Sequence, residues 1–275
     1  MIANRATAKL MSAFDWRARA VLFRNARVYL RNWRTAFLPP ALEPVVFFVA
    51  LGFGLGGLVG PITVGDRNVD YASFVAPGLV AYTAFTTPFY EALYSAYVRI
   101  FYQKTWMGIL VTQVELEHIV WGEILWAAAR GAMNAVVVSL TLLALNFAGA
   151  IDIRVEWLPV LPLLGFIAGL AYGAVALVFT ALVPSIDHMN YPVFLVGWPI
   201  SLMSNTVFPV PTEHAWVGVL MDLNPLYHLA GVSRSLLLLG NTGGHLGPLL
   251  AETLVLLVAA TLLVQRLMRK RVLSG

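Results

Sequence analysis

Apolar residues run through this chain in long unbroken stretches rather than in alternation, and polar residues gather between them. The stretches fall roughly at 36–59, 74–98, 119–147, 157–182, 191–208 and 248–267. Most reach or exceed the roughly 18 residues that mark a candidate spanning helix. Hydrocarbon leaves no water to satisfy the backbone, so spans are helices or a closed barrel, and non-alternating runs predict helices. The stretch 209–247 breaks the pattern. Its apolar pieces, 216–223 and 226–239, are interrupted at Asp222, Asn224-Pro225 and Arg234, and each is too short to cross about 30 Å. They predict two half-helices re-entering the outer leaflet. Ahead of the first run, residues 14–34 project as an amphipathic helix. Leu22, Ala26, Tyr29, Leu30 and Trp33 share one face, and Arg17, Arg24, Arg27, Arg31 and Arg34 cover the other, the pattern of a helix lying in a membrane interface.

Composition strengthens this reading. Of 275 residues, 59% are hydrophobic and 12% charged, about half the charge of an ordinary soluble domain; the mean hydropathy is +0.77. There is no cysteine, which removes disulfide and thiolate chemistry. Basic residues cluster at Arg5, Lys9, Arg17, Arg19, Arg24, Arg27, Arg31 and Arg34, and again at Arg266, Arg269, Lys270 and Arg271. Each cluster abuts an apolar run, so lipid headgroups and orientation explain it better than nucleic acid does. The positive-inside rule puts both termini in the cytoplasm and makes the number of spans even. The expected fold is an all-α polytopic membrane protein: an interfacial helix over 1–35, six spans over 36–268, and a basic tail over 269–275.

Candidate chemistry lies at the inner side. The segment 98–117 joins two spans, with Arg99 and Lys104 at its start and Glu115 and Glu117 at its end. It is either a handle for a soluble partner or an ordinary connecting loop. Glu91, Glu123 and Arg130 are ionisable groups inside spans, where charge is costly and marks function by default; they form a candidate buried network that either couples, touches substrate, or holds two spans together. Tyr90, Tyr94, Tyr97 and Phe101 make an aromatic stripe that suits sugar stacking or packing at the interface. Pro192 and Pro199 predict a bend in the fifth span. Gly165, Gly169 and Gly173 form a small-residue ridge for close helix contact. Gly52-Phe53-Gly54-Leu55-Gly56-Gly57 formally matches a dinucleotide fingerprint but ends an apolar helix instead of linking strand to helix, so it reads as packing. No metalloprotease, serine-hydrolase or Walker motif occurs, and the five histidines lack ligand spacing. Uphill transport would therefore need an ion gradient or a partner ATPase, and no internal repeat points to the former.

The chain resembles the type-2 permeases of ATP-binding cassette exporters, most closely the nodulation-factor (lipooligosaccharide) exporter group. The likeness rests on Leu51-Gly52-Phe53-Gly54-Leu55-Gly56, Phe74-Val75-Ala76-Pro77-Gly78-Leu79-Val80-Ala81 and Phe89-Tyr90-Glu91-Ala92-Leu93-Tyr94. It extends to Lys104-Thr105-Trp106, Gly122-Glu123, Asn224-Pro225-Leu226-Tyr227-His228, Arg234 and Gly240. The resemblance implies a coupling helix that docks on an ATPase, built from Gln103, Lys104, Thr105, Trp106, Met107, Gly108 and Leu110. Thr112-Gln113 and Met107 depart from the family pattern of Thr-Pro and of an acidic residue after the tryptophan. It further implies a homodimeric permease with two ATPase subunits in a bacterial inner membrane. ATP and Mg would sit on those subunits, with no cofactor on this chain. The implied cargo is an amphipathic glycolipid or lipid-linked polysaccharide. Its polar head would pass groups such as Tyr90, Tyr94, Glu91 and Arg130 while Pro192 and Pro199 act as hinges. A drug exporter of the same architecture and an ion-coupled carrier are the alternatives.

Overall fold

The computed structural model describes residues 10–211 and 214–273, most of them helical. Helix α1 (Trp16–Arg31) is capped by Asp15, whose carboxylate accepts the Arg17 N–H at 2.9 Å. Helix α2 (Trp33–Phe48) continues through a wide i→i+5 turn, Val49–Phe53. A two-residue hairpin follows, β1 (Ile62–Val64) against β2 (Arg67–Val69), with Ile62 opposite Val69. Gly65 takes φ +57° at the first turn position, where only a residue without Cβ is free of strain. Helix α3 (Tyr71–Tyr90) is prolonged by two further wide turns, Glu91–Ser95 and Val98–Tyr102. Next come α4 (Thr105–Leu110), α5 (Leu116–Phe147) and α6 (Val160–Leu182). The pieces α7 (Asn190–Pro192) and α8 (Trp198–Leu202) flank a fourth wide turn, Val193–Gly197. Helices α9 (Ala215–Asp222), α10 (Pro225–Leu239) and α11 (Leu246–Leu273) complete the fold.

Three of these helices, at 116–147, 160–182 and 246–272, are long and apolar enough to cross a membrane. With the many exposed large side chains such as Phe47, Leu140, Leu163 and Leu254, this is an all-α membrane protein, because such a surface belongs in lipid rather than water. The core forms where α6 packs on α5 and α3. The glycine ridge is used inside the chain: a Cβ on Gly165 would meet Ala84 and Ala135, on Gly169 Ala128, and on Gly173 Ala127.

Four expectations shift. The fifth run leaves the helix at Leu202, not Phe208, because Asn205 adopts φ +53° and turns the chain back. The Thr206 carbonyl then lies so close to Gly78 of α3 that no Cβ fits there. Arg234 on α10 pins the same segment, donating to the Asn205 and Phe74 carbonyls at 2.6 and 3.3 Å. The last helix extends through the basic tail to Leu273; Arg269 pairs with Glu117, and Arg271 donates to the Thr180 and Ala181 carbonyls at 3.0 and 2.9 Å. The loop before α3 contains a hairpin. On α1, Ala18, Val21 and Asn25 are buried, the helix packs on α5, and Trp16, Phe23 and Leu30 form an exposed apolar ridge; of the predicted stripe Leu30 and Trp33 are exposed while Leu22, Ala26 and Tyr29 are half-buried. Close approach sets this rotation: a Cβ on Gly122 of α5 would stand 2.5 Å from Val21 and 2.9 Å from the Ala18 carbonyl.

Candidate functional site

The wide turns that prolong α3 place Glu91 and Arg99 on one side of the helix end, facing Glu123 and Arg130 of α5. Arg99 is the centre. Its guanidinium donates to Glu91 at 2.9 Å and to both oxygens of Glu123 at 3.1 and 2.6 Å. Glu91 also accepts the Trp126 indole N–H at 2.9 Å and lies 3.8 Å from Arg130. Arg130 in turn stacks over the Tyr29 ring of α1 at 4.0 Å. All four charges are largely withdrawn from solvent. Burial of any one alone would be strongly unfavourable, so each partner offsets the desolvation of the others. The three residues expected to cluster do so, but through Arg99, which the sequence presents as part of a basic pair at the start of the connecting segment.

Helix α4 is joined to this network. Lys104 precedes it in the left-handed region at φ +49°, which turns the chain sharply out of α3. Trp106 is completely buried and donates its indole N–H to Glu123 at 3.2 Å. Gln103, Lys104, Met107 and Gly108 are exposed, and Thr105 and Leu110 are half-buried. The short helix therefore has two faces: an outer one carrying Lys104 and Met107, and an inner one whose tryptophan touches the charge network. The far end of the connecting segment is structural. Glu115 and His118 form a reciprocal cap on α5. His118 Nδ1 accepts the Glu115 N–H at 3.2 Å, which leaves the proton on Nε2, 3.4 Å from Asp15.

Two cavities continue from the network along α3. One, about 230 Å³, is lined by Glu43, Thr87, Tyr90, Glu91, Tyr94 and Arg130 among others. The next, about 470 Å³, shares Glu43 and Tyr90 with it and is otherwise mostly apolar, bounded by Phe47, Leu51, Phe85, Trp198 and Phe208. Through Glu43 and Tyr90 a polar chamber beside α2, α3 and α5 adjoins a greasy one beside α2, α3 and α8. Tyr90 and Tyr94 lie in this line, 6.2 Å apart, while Tyr97 and Phe101 do not: Tyr97 bonds the Pro184 carbonyl and Arg271 stacks 4.1 Å over Phe101. Pro192 and Pro199 bracket the wide turn Val193–Gly197, beside the apolar chamber. Glu43 and Arg99 are the functional candidates that sequence reasoning left aside; Arg99 stands eight residues from Glu91, about two turns on, a spacing that carries the signal. Among the described residues no group of three metal-ligating side chains occurs.

The ABC-2 type transporter family matches residues 17–238. The chain is 31% identical to Nodulation protein J of Rhizobium meliloti (strain 1021) over 261 residues, 93% of this chain and 95% of that protein. It is 33% identical to Nodulation protein J of Rhizobium leguminosarum bv. viciae over 255 residues, 88% and 94% of the two chains. Nodulation protein J of Bradyrhizobium diazoefficiens is 30% identical over 260 residues, 93% and 94%.

Proposed function

This chain belongs to the ABC-2 type transporter family, and from that premise we propose that it is the permease subunit of an ATP-driven exporter for an amphipathic lipooligosaccharide or lipid-linked polysaccharide. It is a membrane transport subunit; ATP and Mg are bound by a partner ATPase, present in two copies against a permease homodimer in a bacterial inner membrane. Both termini lie in the cytoplasm, six segments cross the bilayer (α2, α3, α5, α6, the α7–α8 unit and α11), and α9 and α10 re-enter from the outer side. The observation that carries the reading is the double face of α4: Lys104 and Met107 exposed at the surface, Trp106 hydrogen-bonded inward to Glu123.

The proposed sequence of events follows from that contact. Closure of the ATPase pair pushes the exposed face of α4. The Trp106 indole transmits the displacement to Glu123 and through Arg99 to Glu91, at the wide turns of α3. Wide turns are local distortions of a helix that tolerate rearrangement and gather at functional sites; α2 and the α7–α8 unit each carry one and α3 carries two. Their movement, with Pro192 and Pro199 as hinges, opens the chambers beside them. A sugar head would hydrogen-bond Glu43, Tyr90, Tyr94 and Arg130 while its acyl chain stays in the apolar chamber or in lipid. Moving the polar head through hydrocarbon without such partners is the step that costs free energy.

The resemblance to nodulation-factor exporter permeases, with relatives named Nodulation protein J, favours a lipooligosaccharide over a hydrophobic drug, and the adjoining polar and apolar chambers suit a cargo with both characters. Lys104→Ala combined with Met107→Asp tests the docking face. Both side chains are exposed, so the chain should fold normally in detergent yet lose co-purification with its ATPase. Unchanged co-purification would show that the ATPase docks elsewhere.

A further inference from the structure

A third cavity, about 290 Å³, lies between α1, the wide turns ending α3 and the approach to α4. Its polar lining is Arg24, Asn25, Ser95, Arg99 and Gln103, with no carboxylate. Two features are unexplained by the network beside it. Arg24 holds only neutral acceptors, Asn25 Oδ1 at 2.9 Å and Thr105 Oγ1 at 3.4 Å, although Arg99 is matched by two carboxylates. Of the three guanidiniums beside Glu91 and Glu123 (Arg24, Arg99 and Arg130), Arg24 is the one with no carboxylate in contact. Asn25 is 4% exposed, and its amide nitrogen has no acceptor. Because its oxygen is committed to Arg24, the amide cannot be reversed to remove that deficit. A buried donor without an acceptor is unfavourable by itself, and beside a guanidinium that contacts no carboxylate it completes a donor pair suited to an anion.

We propose that this cavity is an anion site that takes a phosphate group, either the headgroup of an inner-leaflet phospholipid or free phosphate, held by Arg24 and the Asn25 amide. The bound anion pairs with Arg24 and clamps α1 to the entry of α4, since Arg24 already reaches Thr105 at the first position of that helix. The exposed ridge of Trp16, Phe23 and Leu30 beside Arg19 and Arg27 brings α1 to headgroup depth, where phosphates are plentiful. The inference stands apart from the transported cargo, and its test reads no transport.

The full chain in neutral detergent micelles is titrated with phosphatidylglycerol, phosphatidylcholine or inorganic phosphate, reading retained lipid by native mass spectrometry and the thermal midpoint. Phosphatidylglycerol should be retained and stabilising relative to phosphatidylcholine. Arg24→Gln and Asn25→Asp should each weaken that binding at least about tenfold, the loss of one charge-assisted contact, whereas Arg24→Lys keeps most of it and exposed Arg27→Gln leaves it unchanged. Arg24→Lys also guards against a folding defect in the charge-removing variants. Displacement of the lipid by millimolar phosphate identifies a site for phosphate from either source; retention of lipid against phosphate identifies the phospholipid. The proposal is overturned if neither anion binds better than phosphatidylcholine. It is equally overturned if Arg24→Gln behaves as wild type while Arg27→Gln loses the preference, the mark of mere surface adhesion. Occupation by the ATPase alone, with no anion binding, would assign the cavity to a protein carboxylate and also defeat it.

Discussion

Arg99 carries two buried carboxylates, and the consequence of removing it follows directly. Arg99→Met leaves Glu91 and Glu123 without a cation between them, a loss on the order of 3–5 kcal/mol for breaking a buried pair. The thermal midpoint of the detergent-purified protein should fall sharply, and adding Glu123→Gln should restore part of it. Equal midpoints for wild type and Arg99→Met would contradict the network. Asp15 offers a pH handle at the other end of α1. The Arg17 N–H, and less strongly His118 nearby, hold its carboxyl below the ordinary 3.8. A depressed folded value means its stabilisation is complete above pH 3.8 and disappears as pH falls through the lower folded value. Amide exchange at the start of α1 should accelerate only in that acid range, and Asp15→Asn should flatten the response. Arg99 also shows why the site was only partly legible. Charge spacing exposed Glu91, Glu123 and Arg130 as costly intramembrane groups, but an arginine at the end of an apolar run reads equally as a headgroup anchor. Trp106 was singled out only by resemblance to a family, and its inward direction depends on the left-handed Lys104, which no local pattern announces.

At the scale of elements, long apolar periodicity was the readable part. The helices α5, α6 and α11 arise where unbroken runs demand them, and Asn224-Pro225 separates α9 from α10 as cap and first-turn proline: Asn224 accepts the Leu226 N–H at 3.0 Å. What periodicity could not supply was rotation and close approach. The buried face of α1 is that of Ala18, Val21 and Asn25 because Gly122 admits Val21 and Ala18 at backbone distance. The hairpin at 62–69 had its signal, alternating residues around Gly65-Asp66, but three-residue strands are easily read as loop. These contacts predict that Gly122→Leu forces α1 off α5, a cost of about 1–3 kcal/mol or more for overpacking. Limited proteolysis should then cut between α1 and α2 earlier than in wild type, while Gly108→Ala, which meets nothing within 4 Å, leaves the pattern unchanged.

For the whole molecule, two of the wide turns, the charge network and the chambers lie along one helix, α3. Its lower end holds Arg99, and its middle lines both chambers through Tyr90. Toward Asp70 it meets the Thr206 segment through Gly78. One helix thus touches the lever, the cargo space and the segment held by Arg234, which gives a force applied at α4 a continuous mechanical route. The decisive measurement is ATP-dependent movement of a labelled lipooligosaccharide across vesicles containing the chain and its ATPase, comparing wild type with Trp106→Phe. Phenylalanine keeps the buried ring but removes the N–H that Glu123 accepts, a charge-assisted bond worth about 1.5–3 kcal/mol. The ATPase should still assemble while export falls at least about tenfold, and the chain alone should move nothing. Export by Trp106→Phe at the wild-type rate, or by the chain without its ATPase, would contradict the account.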